Sequence, residues 1–541
     1  MTTPFGRMSI FQTINEVTKT DIITDRLTQA IESGLLKNGE RLPGESEMAR
    51  MFGVAPITTR EALEQLRSQG LVETRRGRDG GSFVTSDQRR NIKRLEHSLA
   101  TMSTMELKNH RALYIALVSS SARIASEEAS DGERAGIQHA IEDLVTSLER
   151  QTPDSSIQEC LSYGHQEMQI HTEIAAATGS SHLVNTLIRL QEELHHLLWI
   201  RFTDSQQVEF LAKQYAYAAH LLETGQNQLF ERRITDIVIV GFSWLAERRI
   251  QLLQQQADPV NDDTDDANHQ GSQIYETPLE ISHRIRDLFG GYGEMLRQWE
   301  LQLTERSSQG ILSKQQFDEL SRQLTHPLLA SDRLVVGAGL IPSPDFLPNA
   351  PWHSSWWTSQ WSSRNSNPSV EAGRKTSAEA AGPSIQPLRI SDNPQSASFY
   401  DFTAQDWWQA PKTVDGLHIT GPYFDYICSN RPTLTLSRPF YVDRRFAGVT
   451  GLDLDAGEME QRLDGLLLKL ERPAVVINNG SRVIASTNTT MLCGDLVRDI
   501  AQLHAKALIS CGSASSSVGS STSSGTGTRK STPESLTLAV F

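Results

Sequence analysis

The sequence predicts a multidomain protein: an N-terminal winged helix-turn-helix, an all-α helical bundle and a C-terminal α+β domain. Three observations carry that expectation. Between Gly39 and Val84, two short helical patterns, a tight turn and a glycine-rich hairpin follow one another. From about His97 to Gln255 a helical pattern runs with Pro153 as its interruption, and beyond Pro278 a long helical pattern leads into strand-like runs. A chain of 541 residues is also too long for one hydrophobic core.

In the first segment, Asp21 to Gly34 places Ile23, Leu27 and Ile31 along one stripe, a support helix. Glu45 to Phe52 reads as a short helix stopped by Gly53, which can take the left-handed C-terminal position. A second helix starts at Pro56, whose missing N–H costs nothing in a first turn, and carries Ile57, Leu63 and Leu66 on one face before Gly70 ends it. Leu71 to Arg75 and Ser82 to Val84 then read as two strands, joined by a turn that Gly77, Gly80 and Gly81 permit. This wing bears Arg75, Arg76 and Arg78, suited to phosphates or a narrow minor groove, although loop arginines are also commonly plain solvated charge.

The run LPGESEMARMFGVAPITTREALEQLRSQGLV with RRGRDGGSFV resembles the winged helix of GntR-type bacterial transcription regulators. The resemblance implies that Ser46, then Thr58, Thr59 and Arg60 at the start of the recognition helix, and Arg75, Arg76 and Gly77 in the wing face DNA. A guanidinium at Arg60 suits guanine edges and phosphates; the competing role is an ion pair with Glu64 one turn on. Many members of the subgroup have a Ser-Arg pair where this chain has Ala55 and Pro56, so the operator sequence does not carry over.

Charge supports a local contact. The net charge is −14, yet between Arg60 and Arg94 nine basic residues stand against five acidic ones, a basic head on an acidic body. The four cysteines, Cys160, Cys428, Cys493 and Cys511, form no CxxC pair, which points to a reducing cytoplasm rather than a disulfide framework or zinc site. The best apolar run, Ile237 to Ala246, is too short for a bilayer, and Phe5 to Phe11 lacks a secretory pattern.

The domain boundaries follow from composition. Residues 1–19 are expected to be a flexible arm, 20–86 the winged helix, and SDQRRNIKR a polar hinge. Residues 97–253 carry six or seven helical runs, which suggest a closed bundle. That segment resembles the all-helical ligand-binding domain of the FadR subgroup, which implies a homodimer controlled by a small effector. In many such domains an acidic residue, a histidine four later and two further histidines hold a divalent metal. Glu167 and His171 match the first pair and share a helix face. The other positions fall at Tyr215 and near Ile237, so two of four ligands are missing and the set reads as a degenerate remnant that would hold zinc or nickel weakly at best, or as a hydrogen-bonded pair in a polar cavity. No cofactor is expected.

Residues 254–276 are acidic and poor in apolar side chains, a linker. Residues 277–509 form the third unit: a helix from Pro278 to about Ser307, strand runs including RLVVGAGLI, and a PAVVINN/SRVIAST hairpin turned by Gly480 and Ser481. Ser362 to Pro387 is a polar insert, expected to be mobile, and 510–541 a serine-glycine tail, expected to be disordered.

The segments SFYDFTAQDWWQAP, TGPYFDY and LTLSRPFYVDRRFAGVTGLDLD look like the core of a Cache domain, a PAS-like sensor. The resemblance implies an effector site made of Tyr400, Gln405, Trp407, Trp408, Tyr423, Asp425 and Asp453. Gln405 stands where sensors for amino acids carry an arginine, which favours an amine-like or neutral ligand. Two tryptophans, two tyrosines and two carboxylates would attract a cation in any case, although Trp407 and Trp408 are equally readable as core aromatics. HSSWWTSQW, His353 to Trp361, either caps the pocket or only packs. The chain thus reads as a DNA-binding, effector-controlled regulator with no membrane span. The alternative is a signalling scaffold that uses the third domain for partner contact. No Ser-His-Asp order, phosphate loop or complete metal set suggests an enzyme.

Overall fold

The computed structural model describes residues 19–541 apart from 33–35, 37, 76, 78–79, 86–87, 152–156, 258–274, 311, 345, 349, 362–382, 397–398, 414–415, 504 and 512–535. The expected arm up to residue 18, most of the acidic linker, the greater part of the polar insert and of the tail, Pro153, Arg76 and Arg78 lie outside the described residues; Lys19, the arm's last residue, already belongs to the first helix.

The N-terminal domain is built from α1 (Lys19–Glu32), α2 (Glu45–Phe52), α3 (Pro56–Ser68) and the antiparallel hairpin β1 (Val72–Arg75) and β2 (Gly81–Val84). Gly53 caps α2 at φ 64, where a Cβ is disfavoured, and the resulting turn carries the chain into α3 with Pro56 in its first turn. Ile23, Leu27 and Ile31 of α1 are buried against Ala62, Leu63 and Leu66 of α3. Ile57 is 57 % exposed, so the expected Ile57/Leu63/Leu66 face is corrected: Thr59, Ala62, Leu63 and Leu66 face inward, and Ile57 stands clear of the core.

The expected hinge is in large part a helix, α4 (Gln88–Thr101). Ile92, Leu95 and Leu99 give it an apolar stripe against the bundle, which is why its surface charges did not keep it unstructured. The bundle continues through α5 (Thr104–Glu128), α6 (Asp131–Glu149), α7 (Ile157–Ala176), α8 (Ser181–Leu198), α9 (Ser205–Glu223) and α10 (Asn227–Ala257). Capping boxes begin α5 (Ser103 with Glu106) and α6 (Ser130 with Glu133), satisfying amides that a helix start leaves open. The start of the expected linker, up to Ala257, is the last turn of α10.

The C-terminal domain starts at α11 (Pro278–Ser308), followed by α12 (Lys314–Ser331). Its first sheet runs in the order β5-β4-β3-β8-β7-β6, all antiparallel: β3 (Val335–Pro342), β4 (Ser355–Gln360), β5 (Ser384–Pro387), β6 (His418–Asp425), β7 (Arg431–Val442) and β8 (Arg445–Asp455). The end of the expected mobile insert is therefore an edge strand, β5. After β8, α14 (Ala456–Leu467) leads to a second sheet ordered β10-β9-β12-β11: β9 (Ala474–Asn478), β10 (Val483–Ser486), β11 (Ala507–Ser510) and β12 (Leu536–Val540). A short helix, α13 (Asp406–Gln409), precedes β6.

The expectation of a disordered tail over 510–541 is corrected at its end. Strand β12 pairs with both β9 and β11, and Leu536, Leu538, Ala539 and Val540 are buried. Five residues of alternating apolar pattern are enough for a strand once two neighbours complete the ladder.

Candidate functional site

The reading head offers a narrower set than the resemblance implies. Ser46 is exposed on α2, Thr58 is half-buried, and Arg60 is exposed at the start of α3. Thr59 is corrected: it is 0 % exposed and belongs to the core beneath the helix, out of reach of a duplex. Arg60 pairs at 3.1 Å with Glu45 on α2 rather than with Glu64, so the guanidinium is held over the turn between the two helices. In the wing, Arg75 Nε donates to Glu73 at 2.7 Å and its guanidinium lies 4.4 Å above the Phe83 ring. Gly77, at φ 124, makes the turn. Arg41, absent from the sequence reading, donates from Nη2 to the Gly80 carbonyl at 2.8 Å and braces the hairpin; only the fold brings it there.

In the bundle, Glu167 and His171 do share one face of α7, and both are buried. What faces them was not foreseen. Arg201, 2 % exposed, forms a short ion pair with Glu167 through Nη2. Tyr215 donates to the other Glu167 oxygen at 2.7 Å and lies 3.3 Å from His171 Nε2, while the Tyr114 hydroxyl lies 3.0 Å from His171 Nδ1. Burial alone would raise the Glu167 carboxyl, but the Arg201 guanidinium above all, with the Tyr215 hydroxyl, holds it below its ordinary value. Burial pushes His171 down to about 4 against the pull of Glu167, so the ring is neutral. Gly241 makes this possible, since a Cβ there would stand 2.2 Å from Arg201 Nη1. These residues do not fit a divalent metal: the carboxylate already has a cation, and the neighbouring oxygens are phenols that burial keeps protonated.

In the C-terminal domain, the first sheet and the loop before β6 enclose an inner pocket of about 50 Å³. Tyr400, Trp407, Tyr423, Asp425 and Asp453 all line it, together with Trp356, Cys428 and Thr435. Asp453 on β8 is buried and accepts from Thr435 Oγ1 at 2.6 Å, which in turn meets the Tyr423 hydroxyl at 2.6 Å. Asp425 is fixed at the end of β6 by the amides of Ile427, Cys428 and Ser429 at 2.8 to 3.1 Å. Burial, and then the neighbouring Asp425, push the Asp453 carboxyl well above the usual carboxylate range, with Thr435 opposing. Burial and the same two carboxylates raise Cys428 as well. Among the described lining residues there is no lysine, arginine or histidine.

Two expected members are placed elsewhere. Trp408 is corrected: it is 1 % exposed and packs edge-on against Phe402 and Phe446, at 5.0 and 5.3 Å between ring centres. Gln405 borders a larger outer cavity of about 590 Å³, which shares Tyr400, Trp407, Tyr423 and Asp425 with the inner pocket and extends to Asn478, Asn479, Gly480 and Arg482 at the β9–β10 turn. Trp356 answers the question left by HSSWWTSQW: one indole of that cluster lines the pocket from β4, and its Nε1 has no hydrogen-bond partner.

A winged-helix head followed by a helical bundle and a pocketed α+β domain is the architecture of a DNA-binding regulator. The family model for bacterial regulatory proteins of the gntR family matches residues 19–84, and that for the first PDC sensor domain of methyl-accepting chemotaxis-like proteins matches residues 385–461. The chain is 34 % identical over 219 residues to the putative HTH-type transcriptional regulator RmpR of Mycobacterium gastri, covering 40 % of this chain and 75 % of that one. The chain belongs to the GntR family. It is also 28 % identical over 172 residues to the putative L-lactate dehydrogenase operon regulatory protein of Escherichia coli K12, covering 31 % of this chain and 61 % of that protein. Among solved structures, E. coli McbR/YncC matches 43 % of this chain and 99 % of its own at 15 % identity and a TM-score of 0.24. The sensory domain of the Campylobacter jejuni chemoreceptor Tlp3 matches 41 % of this chain and 73 % of its own at 15 % identity and a TM-score of 0.25. Among the described residues no helix is long and apolar enough to cross a membrane.

Proposed function

We propose that this chain is a dimeric regulator of the FadR type, acting in the cytoplasm, whose grip on operator DNA is set by a small amine-like effector held in the C-terminal domain. The observation that carries the effector class is the inner pocket. It presents Asp425 and Asp453 with the phenol rings of Tyr400 and Tyr423 and the indoles of Trp356 and Trp407, and no lysine, arginine or histidine among the described lining residues. A cation gains there from both carboxylates and ring faces in a water-poor setting. An inner space of about 50 Å³ suits an ammonium head, and the outer cavity of about 590 Å³ suits the remainder of the molecule.

At the other end, Arg60, Ser46 and Thr58 present α3 and α2 to a major groove, and Arg75 and Gly77 belong to the wing that meets phosphates, a role the motif extends to Arg76. Two copies reading two half-sites give the selectivity that one short helix lacks. With Arg201 in the place of a cation, the bundle serves as the frame between head and sensor rather than as a metal-dependent receptor. The effector shifts operator affinity by its differential affinity for two arrangements of these domains.

The test is thermal-shift titration of the full chain with monoamines, diamines, polyamines and amino acids. Amines should raise the melting temperature and Trp407→Ala should abolish the rise. Equal stabilisation by simple carboxylates, or a shift that survives Trp407→Ala, would overturn the assignment.

A further inference from the structure

The C-terminal domain is docked on the bundle through α14 and, beside it, the turn at residues 492–495, where Asp495 pairs with Lys108 at 2.6 Å and the Cys493 amide donates to Thr104 Oγ1 at 3.0 Å. Glu460 accepts from the amides of Thr104 and Met105, at 2.8 and 3.4 Å, while Ser103 Oγ takes that of Glu106. The sensor domain therefore completes the N-terminal cap of α5, where the helix dipole favours a carboxylate. One turn along α14, Asp464 pairs at 2.8 Å with Arg249 of α10, whose Nε also donates to the Met102 carbonyl at 2.6 Å. Glu460, Asp464 and Arg249 are all buried.

Both ends of this dock are anchored in functional elements. The helix α14 begins where β8 ends: Asp455 caps it through the amides of Gly457 and Glu458, two residues beyond the pocket carboxylate Asp453. On the bundle side, the residue next to Arg249 turns to a different partner. Arg248 pairs closely with Glu96 on α4, the helix that leaves the wing. β8, α14, α10 and α4 are thus joined in one continuous chain of contacts.

We infer that the Glu460, Asp464 and Arg249 cluster is the coupling joint through which the sensor pocket acts on the helix bearing the DNA-reading head. Packing alone would hold two domains together without the desolvation cost of buried charge. What a buried ion cluster adds is intolerance of small slides, because a shift of α14 leaves a carboxylate or a guanidinium without its partner. An interface of that kind occupies one arrangement or another rather than deforming continuously. Two of its atoms, Arg249 Nη1 and Asp464 Oδ1, have no hydrogen-bond partner in the present arrangement, which leaves room for an alternative one.

The inference rests on the pocket being the sensor's input, and its test needs no effector. Hydrogen-exchange mass spectrometry on the full chain would follow residues 88–107 and 431–442 in a double-mutant cycle. The pocket is perturbed by Asp453→Ala, with Thr435→Val as the milder alternative. The joint is replaced by the paired changes Arg249→Met and Asp464→Leu, or by Glu460→Gln alone should that pair not fold. With the joint intact, the pocket change should alter exchange at residues 88–107 by about fivefold or more, the lower end of ordinary coupling factors. With the joint replaced, the same change should alter it less than about twofold, while its effect on residues 431–442 persists. No response at 88–107 with the joint intact, or an equal response with it replaced, overturns the inference. A chain that binds no amine yet shows this cycle would overturn only the effector class.

Discussion

Arg201→Met removes the positive partner of a carboxylate that has little else to turn to. Glu167 is 4 % exposed and Arg201 2 %, so neither charge is solvated. Without the guanidinium, Glu167 keeps the Tyr215 hydroxyl at 2.7 Å and a His171 that is neutral. Breaking a buried pair from one side costs about 3–5 kcal/mol, because the survivor stays buried and uncompensated. At about 2–4 °C per kcal/mol for a domain of this size, the helical-domain transition should fall by roughly 6–20 °C. Thermal unfolding of the full chain followed by far-UV circular dichroism reads this directly. Adding Glu167→Met should restore much of the loss, since an apolar pair needs no partner charge. The deficit also has a pH signature. The pair holds the folded-state Glu167 carboxyl below its ordinary value, so its contribution is present above the unfolded carboxylate range and is lost as pH falls through the folded value. The gap between wild type and Arg201→Met should therefore narrow in acid. A single variant that melts with wild type, or a double variant worse than the single, would refute the reasoning.

Arg60→Ala should weaken operator binding by about 1–3 kcal/mol in an anisotropy titration. It should leave the melting temperature unchanged, because the Arg60–Glu45 pair is solvent-exposed and such pairs add little. Amine binding measured by calorimetry should weaken as pH falls. Asp453, facing Asp425, Thr435, Tyr423, Tyr400 and Cys428, has a raised value in the free pocket and must give up its proton to pair with a cation. Truncation after Cys511 should unfold the second sheet. It removes the buried Leu536, Leu538 and Val540, at about 1.5–3 kcal/mol each, from the middle of the ladder, and limited proteolysis should then cleave β9 and β10.

The legible parts were those encoded locally. Gly53, Pro56 and the wing glycines act on their own φ angles and chain direction, so the order helix, turn, helix, hairpin follows from sequence alone. What failed needed the third dimension. Arg201 lies 34 residues from Glu167, and no spacing rule links them. Trp407 and Trp408 are adjacent on one short helix, with ring planes 89° apart, so a doublet that looked like one feature sends one indole to the pocket and the other to the core. Thr59 is placed toward DNA by the family resemblance, yet the inward face of α3 comes round at that position. In the hinge and the tail, composition masked pattern: Ile92, Leu95 and Leu99 keep a helical stripe among the charges, and LTLAV keeps a strand after the serine-glycine run.

The decisive experiment is a titration of the full chain onto a duplex that the protein itself selects from random sequence, with and without the amine that most raises its melting temperature. Operator affinity should change about fivefold or more at saturating amine, and Trp407→Ala should remove that change while leaving affinity without amine intact. If the amine binds and the operator curve does not move, the pocket does not govern the reading head and the regulatory reading is wrong.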